Sequence, residues 1–155
     1  MRRLVLIGSL LIVLVLLAAG WSLNRMGVFR VFQDDTSIQI IQVQDIPQAL
    51  NMKASLKLPD WEIEKAEARD DHFTSPTCTI YFSNGIKLLL SISPNRYSGM
   101  EQNTQIGKYI YIVFSKDERK VYQFSQGRLQ YNFQTHSAKQ EEELKKYLER
   151  VNWSA

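Results

Sequence analysis

Thr77-Cys78-Thr79-Ile80-Tyr81-Phe82-Ser83-Asn84-Gly85-Ile86-Lys87-Leu88-Leu89-Leu90-Ser91-Ile92 carries the strongest structural signal in the chain. Cys78, Ile80 and Phe82 share one strand face, and Ile86, Leu88, Leu90 and Ile92 share a face after the turn. Asn84-Gly85 supplies residues that tolerate the positive φ of a tight turn. The stretch predicts a β-hairpin with one apolar side. It also sets Cys78, the only cysteine, in an apolar row, where it reads as a small core side chain. A single cysteine excludes an intramolecular disulfide and a cysteine zinc cluster.

Downstream of the hairpin, Pro94 to Thr104 reads as a polar loop and Ile106 to Ser115 as one β-prone strand. Tyr109, Tyr111 and Val113 face one side of it, and Ile110, Ile112 and Phe114 the other. Apolar groups on both sides predict a central strand covered twice, or a covered face opposite a binding face. Lys116-Asp117-Glu118 makes a turn, and Arg119 to Phe124 the next strand. Gly127 turns the chain before Leu129, Tyr131 and Phe133. Such successive hairpin connections predict an antiparallel meander. The closing segment reads as a helix. Ser137 is its cap, Gln140 completes a capping box, and Leu144, Leu148 and Val151 with Tyr147 form the apolar stripe that covers the sheet.

Upstream, Ser37 to Val43 reads as a first strand. Asp45-Ile46-Pro47 opens a short helix that ends near Lys53, with Asp45 as its cap. Trp61 to Ala68 reads as a strand with Trp61 and Ile63 pointing inward. Ala66 and Ala68 break its alternation and imply a bulge or an early end.

Leu4 to Leu23 contains no charged residue and follows Met1-Arg2-Arg3. Twenty residues in a helix rise about 30 Å, the thickness of a bilayer core. The preferred reading is an uncleaved transmembrane anchor; the other is a signal peptide cleaved before Trp21. Arg2 and Arg3 favour an inward N-terminus, although Arg25 and Arg30 weaken that bias. The expected organisation is a cytoplasmic stub over 1–3, an anchor over 4–23, a juxtamembrane connector over 24–36 and an extracytoplasmic α+β domain over 37–155.

The formal charge is +3, but without Arg2 and Arg3 seventeen basic residues face sixteen acidic ones. No basic patch with interleaved aromatics concentrates positive charge, so no nucleic-acid partner is expected. Catalytic signals are equally thin. There is no G-x-S-x-G elbow, and Cys78 on a buried strand is a poor nucleophile. Glu62, Glu64, Glu67 and Glu101 could meet as a carboxylate pair, yet nothing selects two of them. Asp70-Asp71-His72 lacks a second cluster, so no metal site and no cofactor is expected. Among seven tyrosines, Tyr109, Tyr111 and Tyr131 are the candidate ligand-binding residues. Aromatics with a polar tip serve binding surfaces, and packing in short strands just as well.

Leu58-Pro59-Asp60-Trp61 followed by Glu64-Lys65-Ala66 resembles the opening of a bacterial extracytoplasmic domain found after the membrane span of some anti-sigma factors and in related lipoproteins. The likeness continues through Ile80-Tyr81-Phe82, Asn84-Gly85, Ile106-Gly107-Lys108, Gly127 with Leu129 and Tyr131, and the closing helix. That family is similar to the half-barrel of lipoprotein carriers. The resemblance implies a curved, mainly antiparallel sheet with a C-terminal packing helix, behind an N-terminal transmembrane helix. It implies no catalytic residues. The functional expectation is a membrane-tethered, extracytoplasmic, non-enzymatic binding or sensing module in the cell membrane. Its partners would be the bilayer, through Leu4 to Leu23, and an envelope protein or peptide. The alternatives are an accessory subunit of an envelope complex and, last, a small hydrolase.

Overall fold

Gly85 adopts φ 80°, which its missing Cβ permits. Its N–H donates to the Phe82 carbonyl at 2.8 Å, and the Phe82 N–H to the Ile86 carbonyl at 3.1 Å. The result is a three-residue loop closed by a left-handed glycine, which joins β3 (Thr77–Phe82) to β4 (Lys87–Ser91). The computed structural model describes residues 37–53, 55–71 and 74–154.

The other strands are β1 (Ser37–Ile41), β2 (Ile63–Asp70), β5 (Met100–Ile106), β6 (Tyr109–Lys116), β7 (Arg119–Gln126) and β8 (Leu129–Thr135). They form one antiparallel sheet in the order β1-β2-β3-β4-β8-β7-β6-β5. Two meanders, β1–β4 and β5–β8, therefore meet where β4 pairs β8 in the register Leu88↔Phe133 and Leu90↔Tyr131. The bulge expected at Ala66 and Ala68 is not there: β2 keeps its register against β3 from Lys65 to Arg69, and the irregularity lies earlier, between Ile63 and Lys65.

Register places Cys78, Ile80, Leu88, Leu90, Tyr131, Phe133, Tyr122, Tyr111 and Val113 on one face, and all are buried. Burial raises the Cys78 thiol to about 11, which keeps it protonated at neutral pH. Helix α2 (Ala138–Arg150) covers this face with Leu144 and Leu148. Ser137 Oγ accepts the Gln140 N–H at 3.3 Å, and Gln140 Oε1 accepts the His136 N–H at 2.7 Å. Asn84 Nδ2 donates to Glu143 Oε1 at 2.8 Å, and Gln140 Nε2 to the Asn84 carbonyl at 3.0 Å, so the hairpin turn and the helix hold each other.

Several expectations need correction. The sheet is flat and non-curled where a curved half-barrel was expected, with β1 and β5 at its opposite edges. The stretch read as one strand from Ile106 to Ser115 is broken at Gly107, which has φ 58°. A two-residue loop returns Tyr109 to face Ile106, and the last part of the expected loop from Pro94 to Thr104 is strand, β5 starting at Met100. Asp45 makes no side-chain cap bond, because a 3-10 turn (Val43–Asp45) already leads into α1 (Ile46–Ala49) and leaves Asp45 with helical backbone angles.

The expected membrane-spanning segment, Leu4 to Leu23, lies outside the described residues. No helix among those described is long and apolar enough to cross a membrane. The reading as a single-pass, membrane-tethered module with the bilayer as partner is corrected accordingly. The described residues belong to one compact unit, Thr36–Ala155.

Candidate functional site

The connection from β4 to β5 has to travel from the middle of the sheet to its far edge. Residues 92–99 make that crossing on the face opposite α2. The Asn95 N–H donates to Gln130 Oε1 on β8 at 3.2 Å, and Gln123 Nε2 on β7 donates to the Asn95 carbonyl at 3.3 Å. Tyr97 then packs on Phe114 of β6, ring centres 5.4 Å apart. This strap accounts for two buried amides in mid-sheet. Gln123 Nε2 reaches Asn132 Oδ1 at 2.8 Å, and Asn132 Nδ2 donates to the Leu89 carbonyl at 3.2 Å. Both side chains would be costly to bury without these partners.

Beyond the strap, a cleft of about 670 Å³ opens between it and the β6–β7 turn. Its floor is Phe114 and Val121, both buried. Arg96, Lys116 and Arg119 supply cations, His136 stands at the end of β8, and Asp117 and Glu118 share the rim. Among the described residues, neither Arg96 nor Lys116 has a salt-bridge partner. An Arg119 guanidinium nitrogen donates to Gln134 Oε1 at 3.1 Å, a single bond that leaves its other N–H groups for further acceptors. The Tyr97 hydroxyl oxygen is buried and has no hydrogen-bond partner among the described residues. Burial raises its pKa, against a smaller lowering by nearby Gln134 and Arg119. Gln134 thus lies close by, but not in bonding geometry with that hydroxyl.

Tyr109, Tyr111 and Tyr131 do come together, but on the other face and around the chain terminus. Trp153 Nε1 donates to the Tyr111 hydroxyl at 2.8 Å, and the Trp153 N–H to the Tyr109 hydroxyl at 3.0 Å. Trp153 also packs on Tyr131, ring centres 4.5 Å apart. Tyr111 and Tyr131 are fully buried, and the Lys57 N–H donates to the Tyr131 hydroxyl at 3.1 Å. The three candidates form a latch for Trp153 within the core.

Glu67 and Glu101 stay apart. Glu67, on β2, accepts from Lys65 at 2.8 Å and from the Tyr81 hydroxyl at 2.9 Å, while Glu101 lies on β5 at the opposite edge. His72 lies outside the described residues, and no group of three potential metal ligands occurs among those described. Ser98 and His136 line the same cleft without a hydrogen bond between them. The cleft residues escaped sequence reading because they are contributed by a loop, a turn and two strand ends; only Arg96-Tyr97 in the long connection offered a local signal. No family model matches the chain, and neither the curated proteins nor the solved structures offer a significant match. The resemblance noted in the sequence rests on its short motifs.

Proposed function

We propose that this domain binds a small organic anion that carries an aromatic or other apolar body, and that it does so in the strap cleft without transforming it. The observation that carries the reading is the pairing of cations lacking carboxylate partners with a buried aromatic floor. The apolar body of such a ligand rests on Phe114 and Val121, and its anionic group meets Arg119, with Lys116 and Arg96 beside it. Gln134 holds one nitrogen of the guanidinium fork, which orients the rest for an oxyanion and favours arginine over lysine there.

The non-catalytic part of the proposal is supported by the protonated, buried Cys78 and by the lack of a hydrogen bond between Ser98 and His136. Kinship with the bacterial extracytoplasmic domain is likewise proposed. Its support is Leu58-Pro59-Asp60-Trp61, where Pro59 is buried and Trp61 meets Phe82 edge-on at 5.2 Å.

Calorimetry with phenyl phosphate and with inorganic phosphate tests the reading. Phenyl phosphate is expected to bind more tightly than phosphate, and Arg119→Gln to weaken it at least tenfold, equivalent to about 1.4 kcal/mol. Phosphorus NMR of the same sample is expected to show intact phenyl phosphate after prolonged incubation. Equal affinity of Arg119→Gln and the natural chain would sink the binding site. Release of inorganic phosphate would sink the non-catalytic part.

A further inference from the structure

We infer that β5 pairs with β5 of a second copy of this chain, joining two sheets edge to edge about a two-fold axis through Asn103. The inference is independent of the cleft. β5 runs seven residues, Met100–Ile106, and among the described residues pairs only with β6. Sheet edges are usually protected by proline, lysine, a bulge or brevity. β5 has no proline, lysine or bulge: its single charge is Glu101, and its register against β6 is unbroken from Met100↔Ser115 to Ile106↔Tyr109. Met100 is 75% exposed, a large apolar side chain at the edge with no cover among the described residues.

The register follows from backbone alternation. The pair that closes a two-residue loop, Ile106 with Tyr109, is a hydrogen-bonded pair. Thr104, Gln102 and Met100 then also direct their backbone groups toward β6, and Gln105, Asn103 and Glu101 direct theirs outward. An antiparallel copy centred on Asn103 pairs all three outward residues: Asn103 with itself, and Glu101 with Gln105 of the other copy in both directions. The side chains agree with this register. Glu101 faces an amide donor, Gln102 faces Thr104, and Met100 faces Ile106, so no like charges oppose each other and the exposed methionine gains an apolar neighbour. Shifting the centre by one residue leaves strand ends unpaired. A symmetric contact of this kind closes on itself, because it consumes the β5 edge of both copies.

Single-cysteine scanning of the full chain tests the register. Only residue 103 faces its own counterpart, at the roughly 5.5 Å Cα separation of a bonded pair, which a disulfide spans. Asn103→Cys is expected to give a covalent dimer as the main species under mild oxidation. Glu101→Cys and Gln105→Cys are expected to give dimer only when mixed with each other. Cys78 is fully buried and does not interfere. As a second measurement, Asn103→Pro removes one outward N–H without touching the bonds to β6. It is expected to raise the dimer dissociation constant at least tenfold in light scattering, with unchanged circular dichroism. Equal crosslinking at all three positions, or an unaltered dimer in Asn103→Pro, overturns the proposal. So does a natural chain that stays monomeric with no Asn103→Cys crosslink, an outcome that leaves the edge to a foreign strand.

Discussion

Trp153 is 3% exposed and is held at both polar ends: its indole N–H by Tyr111, its backbone carbonyl by Gln126 Nε2 at 2.8 Å. It stacks on Phe124 with ring centres 4.8 Å apart. Trp153→Ala is therefore expected to lower stability by about 3–5 kcal/mol in urea denaturation, from lost contacts and the cavity left behind. Tyr111→Phe, which strands the indole N–H, is expected to cost about 1–3 kcal/mol. Glu141 is the second residue with a large role. Burial would raise its pKa, but hydrogen bonds from Lys120 at 2.7 Å, Lys145 at 2.7 Å and Tyr122 at 2.8 Å outweigh that and bring it down to about 2. A depressed carboxyl stabilises the fold above its unfolded pKa and loses that contribution as pH falls toward its folded one. The stabilisation should be complete above about pH 5 and decline between roughly pH 4.5 and 2. Glu141→Gln is expected to flatten that decline in acid titration of the denaturation midpoint; an unchanged acid slope would contradict the assignment. The chemistry of Tyr109, Tyr111 and Tyr131 was legible in the sequence. Their task was not, because it depends on Trp153, which only the three-dimensional fold brings to them.

At the scale of elements, the strap and β5 are where structure departs most from sequence. The β3–β4 hairpin and α2 were readable because each has a periodic apolar face and a local start or stop signal: Gly85 for one, Ser137 with Gln140 for the other. β5 has no such face. Gln102, Asn103 and Gln105 are exposed polar residues on an edge, so the period-two pattern that marks a strand is missing. Gly107 was the available clue. Its φ of 58° closes the β5–β6 loop, and an added Cβ would lie 3.0 Å from the Glu149 carbonyl oxygen. The strap depends on Gly99 in the same way: with φ 129°, a Cβ there would come within 2.4 Å of the Ser115 carbonyl oxygen. Gly99→Ala is expected to destabilise the domain by roughly 1–3 kcal/mol. Asn132→Ala, which leaves the Leu89 carbonyl and Gln123 short of a partner, is expected to cost a similar 1–3 kcal/mol. Hydrogen exchange should show faster opening of residues 92–99 in both variants, and unaltered exchange would argue that the strap is not held by these contacts.

At the largest scale, the unit from Thr36 to Ala155 is a flat sheet with two unlike faces. One is closed by α1, α2 and the Trp153 latch and forms the core. The other is crossed, among the described residues, by one strap, and the cleft lies beside it. The antiparallel meander could be read from turn signals. The joining of β4 to β8 could not, since nothing local in either strand names its partner. The same long-range closure creates the cleft, so a site built from Arg96, Phe114, Arg119 and Val121 has no linear motif to announce it. The most direct test is amide and side-chain NMR of the full chain titrated with phenyl phosphate. Saturable shifts are expected, confined to residues 96–98, 114–121 and 134–136, weakened by added salt and needing at least tenfold more ligand in Arg119→Gln. Shifts that do not saturate, or that fall on the Tyr109–Tyr111–Trp153 face instead, would contradict the proposed site.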